Sequence, residues 1–336
     1  MAEVERQLAM VLDLNKCLGC QTCTIACKRL WTRDEGMEYM WWNSVNTQPG
    51  RGTPRDWEQS GGGFEDGVPR PGRLPTRKDF GEAWEFNHEE VFFGGKGDKA
   101  HLKVVGEQPD WGPNWDEDQG AGEYPNSYYF YLPRICNHCT NPACVEACPR
   151  KAIEKREEDG VVLIDEDRCR GYRFCMEACP YKKIYFNHAA KVAQKCIFCF
   201  PRIEQQVVNA CVRQCPGRVR FVGYRDDQEA PIWKLVEKWK VALPLHPEYG
   251  LVPNVFYVPP LSPARLDARG RPTGEPRIPT AYLESLFGEA VVAALATIRG
   301  EREKRRRGEP SELMDLLIAY DWKKSFALSP GAREVV

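Results

Sequence analysis

The alternation of apolar and polar positions divides the chain into short strand-like runs, one long helical stretch and much irregular sequence. Met10 to Leu14 is an apolar run of strand length. Ile153–Arg156 and Val161–Asp165 are two more, and the Asp159-Gly160 pair between them predicts a hairpin closed by a type I′ turn. Residues 241–261 carry proline every few positions and predict extended chain. Residues 280–306 follow helical spacing, with Leu283, Leu286, Phe287, Val291, Ala294 and Leu295 as the apolar positions. The basic run from Glu301 to Arg307 reads as a solvated helix end rather than a nucleic-acid site.

Composition sharpens this picture. The chain has 336 residues, 42% of them apolar, enough for a core with substantial additions. A formal net charge of −1 gives no sign of a polyanionic partner, so no nucleic acid is expected. The longest apolar run, Ala290 to Ile298, falls short of the about 20 residues a membrane-spanning helix needs, so no direct span is expected. Residues 1–10 lack an apolar signal region and a twin-arginine pair, which predicts either a cytoplasmic chain or export alongside a signal-bearing partner.

Fifteen cysteines decide the class. An odd number cannot form a fully paired disulfide framework, and the spacings are short enough for metal ligation. They form four motifs: Cys17-x2-Cys20-x2-Cys23-x3-Cys27, Cys136-x2-Cys139-x4-Cys144-x3-Cys148-Pro149, Cys169-x5-Cys175-x3-Cys179-Pro180, and Cys196-x2-Cys199-x11-Cys211-x3-Cys215-Pro216. A tight turn lets two or three thiolates converge on one iron–sulfur cluster. The cysteine three residues further on opens a helix directed away and ligates the other cluster of a pair. Zinc sites use two Cys-x2-Cys pairs about 12–20 residues apart rather than runs of four. The segments at 16–20, 168–172 and 195–199 echo one another, which predicts an α+β fold of duplicated ferredoxin-like 4Fe–4S modules.

The third motif departs from the others. Tyr172 stands where a second thiolate is expected, which points to a [3Fe–4S] cluster, the alternative being a fourth iron held by water, Tyr172 or another residue. Lys16, Lys28, Lys195, Arg202, Arg213 and Arg218 lie near the cysteines in sequence and are candidates to offset cluster charge, though each alone reads equally as a surface residue. His138 sits inside the second motif as either a donor to cluster sulfur or a packing residue. No dinucleotide fingerprint, P-loop, nucleophile elbow or haem-attachment motif occurs, so no catalytic residue is assigned.

These blocks predict a cysteine core of residues 1–27 plus 136–223, a loop-rich insertion over 28–135 and an extension over 224–336. The insertion has no cysteine but holds Trp31, Trp41, Trp42, Trp57, Trp84, Trp111 and Trp115, either as local core or as a subunit interface.

The segments AspLeuAsnLysCys (13–17), AsnTrpAspGluAspGlnGlyAlaGlyGluTyrProAsn (114–126), CysProTyrLysLysIleTyrPheAsn (179–187), LysCysIlePheCysPheProArgIleGlu (195–204) and AlaLeuProLeuHisProGlu (242–248) carry a resemblance. The chain resembles the iron–sulfur β subunits of the DMSO reductase family of molybdenum enzymes, in their nitrate reductase-like branch. That branch includes ethylbenzene, steroid C25 and dimethylsulfide dehydrogenases and selenate, chlorate and perchlorate reductases. The resemblance implies three [4Fe–4S] clusters, on Cys17, Cys20, Cys23 and Cys215, on Cys27, Cys196, Cys199 and Cys211, and on Cys136, Cys139, Cys144 and Cys179. It implies a [3Fe–4S] cluster on Cys148, Cys169 and Cys175, with Tyr172 at the missing fourth ligand; nitrate reductase β subunits have Trp there. It further implies a molybdopterin catalytic α subunit, a haem b γ subunit or soluble cytochrome, a heterotrimer working in anaerobic respiration, and a periplasmic location reached by co-export with α. The shorter length resembles the periplasmic members more than nitrate reductase. The alternatives are a cytoplasm-facing equivalent, a stand-alone ferredoxin, or a zinc-bound structural protein.

Overall fold

The computed structural model describes residues 4–80, 120–321 and 325–328. Trp84, Trp111, Trp115 and the 114–119 part of the 114–126 segment lie outside them. In chain order the strands are β1 (Leu8–Asp13), β2 (Ser44–Gln48), β3 (Phe64–Glu65), β4 (Val68–Pro69), β5 (Phe130–Arg134), β6 (Ile153–Lys155), β7 (Val162–Ile164), β8 (Ile184–Asn187), β9 (Val192–Lys195), β10 (Arg220–Tyr224), β11 (Leu243–Pro244), β12 (Val255–Val258), β13 (Ala264–Leu266), β14 (Pro272–Pro276) and β15 (Phe326–Ala327). The helices are α1 (Thr22–Trp31), α2 (Ala143–Glu146), α3 (Phe174–Ala178), α4 (Phe200–Ile203), α5 (Ala210–Arg213), α6 (Pro231–Trp233), α7 (Thr280–Phe287), α8 (Ala290–Arg306) and α9 (Glu312–Ile318).

β1 is the spine. Its sequence, LAMVLD, is apolar without alternation because both faces are buried. Leu8, Met10 and Leu12 face the core that holds Cys23, Cys27, Cys196 and Cys211. Ala9 and Val11 face a second core built from Ile232, Leu235, Ile298, Leu313 and Leu317. Each fully buried Leu, Val or Met contributes about 1.5–3 kcal/mol. β1 pairs antiparallel with β10 and parallel with β12, in a five-stranded sheet of order β11-β12-β1-β10-β15. β11, β12 and β15 thus bring the region after residue 224 into the sheet whose strand β1 leads to the N-terminal cysteines.

Two hairpins, β6–β7 and β8–β9, frame the second and third motifs. The 153–164 hairpin exists, but its turn is not type I′. Pairing ends at Lys155↔Val162, Arg156 N–H bonds Val161 O at 2.9 Å, and the turn residue with positive φ is Gly160. Asp159 instead uses its carboxylate to accept from Val161 N–H at 2.9 Å, an Asx-type local bond that favours a longer loop.

The single helix expected over 280–306 is two helices bent by 115°. The break is Gly288, with φ +76° and ψ 175°, a region open to glycine and strained for other residues. Among the described residues no single helix is long and apolar enough to cross a membrane. Residues 301–307 end α8 as an exposed basic run, except that Glu301 is buried and accepts from Ser311 Oγ at 2.7 Å. Residues 241–261 are extended only in β11 and β12, which are separated by a 3₁₀ turn at Pro247–Tyr249.

Trp41, Trp42 and Trp57 are buried, so these three are local core. Arg134 shows how the insertion is held. It is buried, donates to Thr53 O at 3.0 Å and Tyr181 O at 2.5 Å, and stacks 3.4 Å over Trp57. Burial pushes its guanidinium down to about 10. Residues 60–72 also reach the third motif: Gly63 N–H bonds Ala178 O and Gly72 N–H bonds Glu177 O, capping the C-terminal carbonyls of α3.

Candidate metal centre

The cysteine turns are built alike. Gln21, Arg173 and Cys199 each adopt left-handed backbone immediately before a helix. A left-handed residue followed by right-handed ones turns successive N–H groups into one concavity, an anion-binding nest. Backbone N–H groups indeed meet sulfur: Phe198 to Cys196 Sγ, Ala152 to Cys148 Sγ and Ala193 to Cys169 Sγ, each at 3.4 Å.

All fifteen cysteines are free thiols, with no disulfide. The fold gathers them from distant motifs. One cavity is lined by Cys17, Cys20, Cys23 and Cys215. A second is lined by Cys27, Cys196, Cys199 and Cys211, and a third by Cys136, Cys139, Cys144 and Cys179. Cys175 faces Cys148 and Cys169, whose charges push its thiol up after burial itself, to about 12. Tyr172, in the same turn, is 56% exposed and packs against Phe174 at 6.3 Å.

The groups follow one another in space. Cys211 of the second cavity is raised by Cys23 of the first, Cys196 by Cys136 of the third, and Cys144 by Cys175 of the remaining group. Burial is the first cause of each of these shifts. It raises Cys17 and Cys196 to about 12 and lifts Cys27, Cys139, Cys144, Cys179 and Cys199 as well. Protein groups alone therefore hold these side chains as thiols. A bound metal would supply the positive charge that keeps them as thiolates.

Orphaned donors fit the same group. His138 lines the third cavity. Its Nδ1 accepts from Val162 N–H at 3.0 Å, so Nε2 carries the proton, and Nε2 is buried with no protein partner. Burial keeps the imidazole well below its ordinary value and neutral. Trp42 lines the second cavity, and its buried Nε1 likewise has no partner. Trp31 Nε1 donates to Cys199 Sγ at 3.1 Å. Cluster sulfides are the acceptors such donors require. A mononuclear site fits less well. Among the described residues no group of three or more His, Cys, Asp or Glu is arranged to hold a single metal ion. Four thiolates on one zinc crowd to about 3.8 Å, whereas a cubane spreads them over four irons.

The basic residues singled out in the sequence mostly donate to backbone carbonyls rather than to sulfur. Lys16 donates to Leu317 O, Lys28 to the carbonyls of Met37, Glu38 and Met40, Arg202 to Val208 O, and Arg218 to Ala319 O. Arg213 is exposed, and Lys195 bonds the carbonyls of Val162 and Cys196. The cation that touches thiols is Arg220, which the sequence reading missed. Buried, it donates to Cys23 Sγ at 3.4 Å and Cys211 Sγ at 3.7 Å. Burial opposes its charge, but Cys211, Cys23 and Cys215 outweigh it and hold the guanidinium above its ordinary value. The available signal was an arginine in an otherwise apolar strand shortly after Cys215. Lys183, also missed, is buried beside the third cavity, and burial pushes its ammonium down to about 7.

Comparison with known proteins agrees with this chemistry. The 4Fe–4S dicluster domain family matches residues 127–225. The chain is 58% identical over 327 residues to the dimethylsulfide dehydrogenase subunit beta of Rhodovulum sulfidophilum, covering 97% of this chain and 100% of that one. It is 56% identical to the selenate reductase subunit beta of Thauera selenatis, over 96% and 99% of the two chains. It is 57% identical to the respiratory nitrate reductase subunit beta of Haloferax mediterranei, over 97% and 94%. The expected separation from nitrate reductases by length does not hold for that relative. The chain belongs to the iron–sulfur β subunits of the DMSO reductase family of molybdenum enzymes, in the nitrate reductase-like branch.

Proposed function

We propose that this β subunit holds three [4Fe–4S] clusters and one [3Fe–4S] cluster and passes single electrons between a molybdopterin catalytic α subunit and a haem b γ subunit or soluble cytochrome. The observation that carries the reading is the lining of three separate cavities by four cysteines each, drawn from motifs far apart in sequence. Cys17, Cys20, Cys23 and Cys215 would hold the first cubane. Cys27, Cys196, Cys199 and Cys211 would hold the second, and Cys136, Cys139, Cys144 and Cys179 the third. Cys148, Cys169 and Cys175 would hold the [3Fe–4S] cluster, with Tyr172 in place of the fourth thiolate. Two ferredoxin-like modules, each with a pair of sites, are the matching architecture, with 28–135 as the insertion between them.

Such clusters supply reversible one-electron oxidation and reduction. The chain's own residues do the rest. Cys196, Cys199 and Cys211 are buried and exclude water, Trp31 and backbone N–H groups donate to sulfur, and Arg220 adds positive charge. Exposed Leu18 and Cys20 suit the first site to face α, and exposed Tyr172 and Phe174 suit the last to face the haem partner. A heterotrimer exported with α to the periplasm follows from the same reading. Thiols loaded with metal before export would be protected there from oxidation.

Metal quantitation with low-temperature EPR tests the proposal. The expected result is about 15 irons per chain and a near-isotropic oxidised-state [3Fe–4S] signal. About 16 irons without that signal would mean a fourth cubane completed by a non-cysteine ligand, and zinc in place of iron would overturn the electron-transfer reading. Recovery of the complex from the cytoplasmic fraction would favour the cytoplasm-facing alternative.

A further inference from the structure

A buried cation stands where the first and second cysteine cavities adjoin, and among the described residues it forms no ion pair with a carboxylate. Arg220, first residue of β10, spans the gap. Its guanidinium meets Cys23 of the first cavity and Cys211 of the second, and its other partners, Asn43 Oδ1 at 2.8 Å and Met10 Sδ at 3.4 Å, are neutral. A buried cation without an anion is strongly unfavourable, so the position calls for negative charge on either side.

We propose that Arg220 is a counter-cation of the electron path, shared by the first and second clusters. The inference rests on the four-cluster reading above. Thiolate-bound clusters carry net negative charge that grows on reduction, so a cation fixed in the low-dielectric gap favours the reduced form on both sides. It raises the two potentials together. An electron crossing the gap moves from one side of the cation to the other, so the attraction lost on departure is regained on arrival. Arg220 keeps its proton throughout, and one electron leaves one site as it enters the next.

The test is EPR-monitored redox titration of the purified complex, with iron content measured for each form. In Arg220→Gln the midpoints of the first and second clusters both fall, each by at least a tenfold change in the one-electron equilibrium, about 59 mV, while that of the [3Fe–4S] cluster stays. Full iron content with unchanged midpoints, or a fall in one cluster of the pair alone, overturns the proposal. If Arg220→Gln loses iron, Arg220→Lys decides. Its compact ammonium lacks the guanidinium fork and reaches one thiolate only, so the two midpoints separate, and equal or absent shifts overturn the sharing. A wild-type complex without four clusters would instead overturn the reading on which this rests, and that is seen before any variant is made.

Discussion

Trp31 and Tyr172 act on single sites. The Trp31 indole N–H is 3.1 Å from Cys199 Sγ, and a hydrogen bond to a ligating sulfur stabilises the reduced cluster. Trp31→Phe keeps the ring and removes the donor. The midpoint of that one cluster is expected to fall by the worth of one hydrogen bond, about 1 kcal/mol, and an EPR titration with no shift would remove this bond from the account. Tyr172 is exposed in its turn, so replacement costs the core little. Tyr172→Cys is expected to raise the iron content from about 15 to about 16 and abolish the oxidised-state signal. An unaltered spectrum would show that the turn cannot bring a fourth thiolate inward.

Elements meet at two junctions that carry their own tests. Residues 60–72 cap α3, and Gly62 lies against it with φ +106°. A Cβ there would stand 2.8 Å from Ala178 O and 2.9 Å from Glu177 O. Backbone cannot yield as a flexible side chain does. Gly62→Ala is therefore expected to destabilise the protein by about 1–3 kcal/mol and to lose iron first from the sites of Cys175 and Cys179, read by thermal melting and EPR. The second junction joins α8 to α9. Ser311 caps α9 by accepting from Met314 N–H at 3.2 Å and donates to Glu301. Lys304, then Ser311, hold the Glu301 carboxyl below its ordinary value. A lowered native value means the ionised form is favoured by folding, so its contribution is full above the unfolded value of about 4.3 and fades as pH falls through the native one. Glu301→Gln should cost about 1 kcal/mol or less at pH 7 and progressively nothing below pH about 4. A penalty that is flat with pH would assign the effect to packing.

The whole molecule is stitched through its cysteines. The first cavity joins the N-terminal turn to Cys215, and the second joins Cys27 to Cys196, Cys199 and Cys211. Metal there would cross-link distant segments and convert binding energy into folding energy. Iron removal by chelation under reducing conditions is expected to abolish the cooperative thermal transition seen by circular dichroism, rather than lower it by a few degrees. An apoprotein that still melts cooperatively would show that the two apolar cores suffice alone.

The sequence by itself determined what its short-range spacings control. Ligands three residues apart share one turn, so the four motifs were legible as metal sites whatever the rest of the chain does. The 153–164 hairpin and the β1 spine were legible as runs of strand length. Tertiary structure decided whatever depends on what lies opposite. Local spacing cannot say which distant thiol closes each cavity, and the six basic residues near cysteines in sequence mostly spend their donors on carbonyls. Arg220 reaches two cavities because strand β10 carries it there, and Lys183 lines the third from the residue before β8. Helical periodicity over 280–306 continues through Gly288, yet the backbone at that residue adopts φ +76° and turns α8 back by 115°. Charge, burial and chain direction are settled by neighbours across the fold, and those neighbours are absent from any window of sequence.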